Sequence, residues 1–199
     1  TSYPKGIDAY KELFEPNEKG VVKGEITPAY GILPVEVIHE IYAHYPQLKC
    51  IFLHRDPVER AFSSAKMVLN SAHMSMEEAS DQWFIDHFKS HGSVARGDYE
   101  TCVKNWVSVF PVDQFLIIDF DKIQSDPKGV LQAVCGFLEV DASYFDALDV
   151  AQLQEKVFAT KALPMRSKLR KALDKLYKGK VASFNQLLDD LEEQGCKRF

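Results

Sequence analysis

The chain has 199 residues, of which 46% are hydrophobic and 27% are charged, and its formal net charge is −5. This length allows one domain with a sizeable core. The negative balance excludes a general attraction to nucleic acid or anionic membranes, so an anionic ligand requires a local group of cations. No apolar run approaches the roughly 18 residues of a membrane span. The four cysteines stand in apolar surroundings without a Cys-x-x-Cys pair, which predicts buried thiols in a reducing, cytoplasmic compartment.

The first third of the chain contains three predicted elements. Gly6 to Phe14 is predicted as a short helix, and Val21 to Glu25 as a strand. Glu25 has two interpretations, a partner for a neighbouring lysine or an acid or base that faces a substrate. Apolar residues recur at helical spacing from Pro34 to Tyr45, which predicts an amphipathic helix that ends at Pro46.

The next segment is predicted as a strand, a tight loop and a helix. Cys50 to Leu53 is a short apolar run of the kind that forms a strand buried on both faces. Asp56 stands where a helix N-cap belongs, and Pro57 occupies the first helical position. Arg55 therefore lies at the carboxyl end of the strand, and Ser63 about two turns into the helix.

That edge of a parallel sheet is where ligands bind in open α/β folds. A guanidinium, the N–H groups of a helix start and a nearby hydroxyl suit a phosphate group. Arg55 and Ser63 are therefore predicted to hold a phosphate; the alternative is an arginine that caps a strand and a serine that belongs to a helix.

The rest of the chain is likewise predicted to consist of helices and a strand joined by loops. His73 falls in a loop after the helix, and Arg96 falls in a predicted break over 92–97. His87 and His91 are spaced like metal ligands, but without a third ligand we expect no metal. The predicted elements are helices over 76–91, 98–110, 128–138 and 181–193 and a strand over 114–119.

Several of these blocks resemble one family in the correct order. Arg-Asp-Pro-Val-Glu-Arg-Ala-Phe-Ser (55–63) resembles the 3′-phosphate-binding element of sulfotransferases that use 3′-phosphoadenosine 5′-phosphosulfate. Gly-Glu-x-Thr-Pro-x-Tyr (24–30) and the blocks over 97–111 and 114–138 resemble its heparan-type and bacterial branch. The resemblance implies a single α/β domain over 1–199, a P-loop-like three-layer sandwich with a central parallel sheet flanked by helices.

The resemblance also implies roles for individual residues on the nucleotide side. Arg55 and Ser63 match the residues that hold the 3′-phosphate, and Arg96 stands in a loop that reaches towards the nucleotide in relatives. Arg166 and Lys168 match, by composition, a basic C-terminal loop that closes over the nucleotide. A solvated helix face is the alternative for this basic part of the chain.

On the acceptor side, the resemblance implies that Glu25 and His73 line the cleft as catalytic residues. A loop histidine without a role is the alternative for His73. Heparan-type members have a lysine after the glutamate, whereas this chain has Ile26, which argues against a polysulfated polysaccharide. The expected partner is therefore a small-molecule, lipid or carbohydrate acceptor, with no nucleic acid.

The resemblance implies transfer of a sulfuryl group from 3′-phosphoadenosine 5′-phosphosulfate to a hydroxyl or amine. The family's 5′-phosphosulfate loop and its first strand have no counterpart in the sequence, which starts at Thr1 without an initiator Met. We therefore expect a piece of such an enzyme, inactive alone. Two alternatives stay open, a non-catalytic nucleotide-binding module of the same fold and a small-molecule kinase.

Overall fold

The computed structural model describes residues 10–12, 14, 20–153 and 164–199. Residues 10–12 are helical, and two short 3₁₀ turns cover Pro28–Ile32 and Val112–Gln114. The strands are β1 (Cys50–His54), β2 (Phe115–Asp119) and β3 (Lys197–Arg198). The helices are α1 (Val35–His44), α2 (Pro57–Ser71), α3 (Asp81–Lys89), α4 (His91–Gly97), α5 (Tyr99–Val107), α6 (Phe120–Ser125), α7 (Pro127–Leu138), α8 (Ser143–Asp146), α9 (Val150–Leu153), α10 (Ser167–Leu176) and α11 (Lys180–Glu193).

In the described residues the three strands form one parallel sheet in the order β1-β2-β3. Phe52 of β1 lies opposite Ile117 of β2, and Leu116 lies opposite Lys197 of β3. The backbone of Phe199 continues this pairing, because its N–H donates to the Ile117 carbonyl at 2.9 Å. The carboxyl ends of β1 and β2 therefore meet at one edge of the sheet.

Helices pack on both faces of this sheet. On one face Phe115 and Ile117 join a core with residues of α1, α5 and α11. On the other face Leu116 and Ile118 pack against Phe137 of α7. This arrangement confirms the prediction of an α/β fold with a parallel sheet flanked by helices.

A third apolar cluster joins α2, α3 and α10. Phe62, Phe84 and Leu173 are almost fully buried in it. Tyr177 closes the cluster over Gly97, where an added Cβ would lie 2.3 Å from the tyrosine hydroxyl. Residue 97 must therefore be glycine for α4 and the end of α10 to approach. In the described part of the chain, no helix is long and apolar enough to cross a membrane.

Two predictions about strands are wrong. The segment over 21–25 forms no strand, because no described strand lies beside it, and Val21 and Val22 are about half exposed. β1 is present but is not buried on both faces. Ile51 and Leu53 are 43% and 46% exposed, because α7 covers the neighbouring β2 on that face and not β1.

Helix boundaries also differ from the prediction in the middle of the chain. The helix predicted over 76–91 begins only at Asp81, where the Ser80 hydroxyl caps it by accepting a hydrogen bond from the Trp83 N–H at 3.1 Å. The predicted break over 92–97 is the short helix α4. The predicted helix over 6–14 lies largely outside the described residues.

Candidate functional site

Arg55 follows the last residue of β1 and lies at the carboxyl edge of the sheet. Its guanidinium lies over the ring of Phe120, 5.1 Å from the ring centre. Phe120 follows the last residue of β2 and is 38% exposed. Among the described residues, the Arg55 guanidinium has no hydrogen-bond or ion-pair acceptor. The ring therefore orients a cation whose N–H donors are available to a ligand.

The helix α2 starts two residues later and carries Ser63, the second predicted phosphate ligand. The Asp56 carboxylate accepts a hydrogen bond from the Glu59 N–H at 2.9 Å, and Pro57 occupies the first position of α2, as predicted. Ser63 is partly buried on this helix, and within the described residues its hydroxyl has no hydrogen-bond partner. Helix geometry places it about 9 Å along the axis from Pro57. A hydroxyl and a guanidinium are thus both free near the start of α2.

A cavity of about 240 Å³ opens beside Arg55 at the same edge of the sheet. His54, the last residue of β1, lines it, and its ring packs against Phe184 with 5.2 Å between the ring centres. The other charged residues of the lining combine carboxylates with one lysine: Asp56, Asp98, Glu100, Asp119, Asp121 and Lys180. Arg55 itself lines this cavity, so carboxylates outnumber cations around the predicted phosphate ligand.

Burial shifts the pKa of two groups in the lining. Burial lowers the pKa of His54 below its usual value, while Asp119 acts in the opposite direction. Burial raises the pKa of Tyr99 to about 12. At neutral pH, His54 is therefore an uncharged imidazole that can accept a proton.

The structure does not bring Glu25 and His73 into contact with Arg55. The Glu25 carboxylate accepts hydrogen bonds from the hydroxyls of Tyr10 and, at 3.4 Å, Thr27. His73 lies two residues beyond the end of α2, in the turn that terminates the helix. Its backbone φ is 55°. Because α2 has 15 residues, His73 lies roughly 20 Å along the helix from Arg55. Their acceptor-side roles stay predictions.

Arg166, one of the two C-terminal cations assigned to the nucleotide, is engaged by protein groups instead. Its guanidinium donates to the carbonyls of Met76 and Ala79 and, at 2.8 Å, to the Asp81 carboxylate. It also lies 5.5 Å from the ring centre of Phe84. These contacts favour a structural role for Arg166, because the donors that a phosphate would need are used.

The other two predicted nucleotide contacts have simpler surroundings. Lys168 forms a second, longer ion pair with Asp81 at 3.7 Å and is 70% exposed. Arg96 is exposed on α4 and donates to the carbonyl of Gly92 at 3.2 Å, within its own helix. Neither has a described contact with Arg55 or Ser63, and their nucleotide roles stay predictions.

Two residues of this edge were not identified from the sequence. Phe120 follows β2 and His54 ends β1. Ligands bind at the carboxyl ends of parallel strands, so the rule that located Arg55 also applies to these two residues. A phenylalanine after an apolar strand is normally assigned to the core, which is why its exposed position under Arg55 was missed.

An arginine and a helix start at the carboxyl edge of a parallel sheet are an arrangement typical of α/β proteins that bind phosphorylated ligands. The sequence model of the Sulfotransferase family matches residues 33–144, more than half of the chain. The chain therefore belongs to the sulfotransferase family.

Individual relatives agree with this assignment. Heparan sulfate glucosamine 3-O-sulfotransferase 5 of Mus musculus is 29% identical over 146 residues, which are 70% of this chain and 42% of the relative. Heparan sulfate glucosamine 3-O-sulfotransferase 3B1 of Mus musculus is 32% identical over 143 residues, 69% of this chain and 36% of the relative. The chain thus spans about two fifths of the length of these relatives.

A solved structure extends the likeness to the three-dimensional fold. The sulfotransferase from Alicyclobacillus acidocaldarius matches with a TM-score of 0.68 and 25% identity. The match covers 93% of this chain and 72% of that protein.

Proposed function

We propose that this chain carries the 3′-phosphate half of a sulfotransferase active site. The observation that carries the proposal is the Arg55 guanidinium, which Phe120 orients and which has no acceptor among the described residues. The hydroxyl of Ser63 on α2, which has no hydrogen-bond partner among the described residues, is the second proposed donor. Together they suit the dianionic 3′-phosphate of 3′-phosphoadenosine 5′-phosphosulfate.

The donor nucleotide supplies an activated sulfuryl group. The bond between sulfur and the bridging phosphate oxygen breaks, the acceptor oxygen or nitrogen bonds to sulfur, and adenosine 3′,5′-bisphosphate leaves. Arg55 and Ser63 would contribute by positioning the nucleotide, which is a large part of catalysis in the related transfer of phosphoryl groups. A general base must take the proton of the acceptor.

The base on the acceptor side is proposed from the family resemblance. Glu25 and His73 are the predicted residues, and their described contacts neither use Arg55 nor reach Ser63. Replacing Glu25 by Gln, or His73 by Asn, which tolerates the positive φ, is expected to lower turnover without weakening bisphosphate binding. Loss of bisphosphate affinity in either variant would contradict the acceptor-side assignment.

The acceptor class is narrowed by Ile26. This side chain is 96% exposed and stands where heparan-type members carry a lysine. A surface without that cation suits a polysulfated polysaccharide poorly, since such an acceptor is polyanionic. We propose a less charged small-molecule, lipid or carbohydrate acceptor and, from the free and largely buried thiols, a cytoplasmic location.

The other half of the active site requires a loop that binds the 5′-phosphosulfate, and no motif of that type occurs in residues 1–199. β1 has a free edge among the described residues, and on one of its faces Ile51 and Leu53 are half exposed. A further parallel strand that carries such a loop would pair at this edge. A non-catalytic nucleotide-binding module is the second candidate function, because the described residues provide the 3′-phosphate half alone.

Isothermal titration with adenosine 3′,5′-bisphosphate and with AMP tests the proposal. The bisphosphate is expected to bind more tightly, because AMP presents no 3′-phosphate to Arg55. Arg55→Gln is expected to weaken bisphosphate binding by about 1.5–3 kcal/mol and to leave AMP binding unchanged. Lys89→Gln, which removes an exposed cation at the end of α3 that has no predicted nucleotide role, is the control. Equal affinity for the two nucleotides would refute the proposed function.

A further inference from the structure

Arg60 of α2 is a cation whose described hydrogen bonds all go to neutral groups. Its Nη2 donates to the carbonyl of Ser93 in α4 at 2.9 Å and to the hydroxyl of Tyr177, the residue after α10, at 3.2 Å. Arg60 is partly buried, and Ser93 and Tyr177 are only 5% and 3% exposed. The guanidinium therefore lies at a junction of three helices that is largely closed to water.

Three hydrogen-bond donors at this junction have no acceptor among the described residues. The Arg60 Nε and the Ser93 hydroxyl oxygen are buried, and neither has a hydrogen-bond partner. The Tyr177 hydroxyl accepts from Arg60, but its own hydrogen donates to no described group. All three donors belong to residues that Arg60 joins directly by hydrogen bonds, so they lie close together.

The positive charge of Arg60 also lacks a counter-ion. In the part of the chain that the structure describes, no carboxylate forms an ion pair with Arg60. Arginine does not deprotonate in proteins, so it cannot become neutral in response to burial. The charge affects a neighbour, because burial and, secondly, Arg60 lower the pKa of His87. A cation in such a place favours a negatively charged partner.

The donors define the chemistry of that partner. Three N–H or O–H donors beside a positive charge suit a small anion, which accepts hydrogen bonds and donates none. A water molecule would bring no charge, and its two hydrogens would need acceptors of their own. Because Ser93 and Tyr177 are almost fully buried, a ligand as large as a nucleotide cannot contact both.

We propose that Arg60, Ser93 and Tyr177 bind one monovalent inorganic anion, of which chloride is the type. The anion accepts from the Arg60 Nε and from the two hydroxyls, and it neutralises the guanidinium. It thereby connects α2 to α4 and to the end of α10. Neither Arg55 nor Ser63 is a ligand of this anion, so the proposal does not rest on the proposed function.

Crystals of the full chain grown with sodium bromide test the site directly, since bromide can replace chloride and scatters anomalously. An anomalous peak is expected between the Arg60 Nε and the hydroxyl oxygens of Ser93 and Tyr177. Density at this position without an anomalous signal would identify a water molecule and refute the proposal. This measurement uses the unaltered protein, so it does not depend on whether any variant folds.

Thermal unfolding tests the site in solution, with sodium chloride compared with sodium gluconate at equal ionic strength. Gluconate is too large for the junction. At a chloride concentration about tenfold above its Kd, linkage predicts a Tm about 3–6 °C higher in chloride. Ser93→Ala and Tyr177→Phe, which each remove one donor, are expected to lose most of that difference. Ser71→Ala is the control and should keep it, because this exposed hydroxyl donates to the Met67 carbonyl of its own helix.

Two results in solution would overturn the proposal. The first is an equal Tm of the unaltered protein in the two salts. The second is a Ser93→Ala variant that is as stable as the unaltered protein, or more stable, in both salts. Removal of a buried hydroxyl that has no partner is neutral or stabilising, so that result would show that Ser93 binds nothing.

Discussion

Arg166→Gln tests whether this arginine supports the fold rather than the nucleotide. The substitution removes donors from the carbonyls of Met76 and Ala79, which are part-buried, and each loss costs about 1 kcal/mol when water can partly replace the donor. The ion pair with Asp81 adds about 0.5–1 kcal/mol, since the Arg166 side chain is 34% exposed. We expect a loss of about 2–3 kcal/mol in the free energy of unfolding, or roughly 4–12 °C in Tm for a chain of this size.

The assay is urea denaturation followed by circular dichroism, together with titration of adenosine 3′,5′-bisphosphate into the folded variant. Lys168→Gln is the matched control, because its longer pair with the same carboxylate is worth below about 0.5 kcal/mol. The structural reasoning is refuted if Arg166→Gln leaves the free energy of unfolding unchanged and weakens nucleotide binding. That result would instead favour Arg166 as a ligand of the nucleotide.

Two further predictions concern the cluster that α2, α3 and α10 share. Phe84→Ala empties a fully buried position and is expected to lower the free energy of unfolding, measured by urea denaturation, by about 3–5 kcal/mol. The control Tyr144→Ala, at a 70% exposed position, should lower it by less than about 0.5 kcal/mol. Equal losses in the two variants would place Phe84 outside the core. Burial and, secondly, the charge of Arg60 lower the pKa of His87 in the folded protein below its usual value of 6.5. The unfolded chain therefore takes up the proton at a higher pH than the folded protein does. Acidification through pH 6.5 is thus expected to lower the free energy of unfolding. His87→Gln should therefore lose less stability than the unaltered protein between pH 7.5 and 5.5, and an identical loss would contradict this assignment.

Local chemistry predicted the elements that carry the candidate site. The apolar run before Arg55 forms β1, and Asp56 with Pro57 starts α2, because capping and proline geometry depend on adjacent residues alone. The position of Arg55 at the edge of the sheet followed from the same local order. Its role as a phosphate ligand stays a prediction.

Features that depend on distant partners could not be predicted. A strand needs a neighbour for its backbone N–H and C=O groups, so the β-forming residues over 21–25 remain unpaired. β3 has two residues and no apolar pattern. In the basic segment, composition could not distinguish Arg166, which contacts Asp81, from Arg170, which contacts Glu59.

The pairing of β3 with β2 has a consequence for biosynthesis. The two strands are separated by about 80 residues, which a ribosome adds in roughly 4–16 s at about 5–20 residues per second. During that interval the apolar strand Phe115–Asp119 has an open backbone edge, and the face that Phe199 covers is exposed. An unpaired edge of this kind binds other extended chains. The nascent chain therefore passes through an interval in which it exposes a strand edge and an apolar face that the folded protein covers.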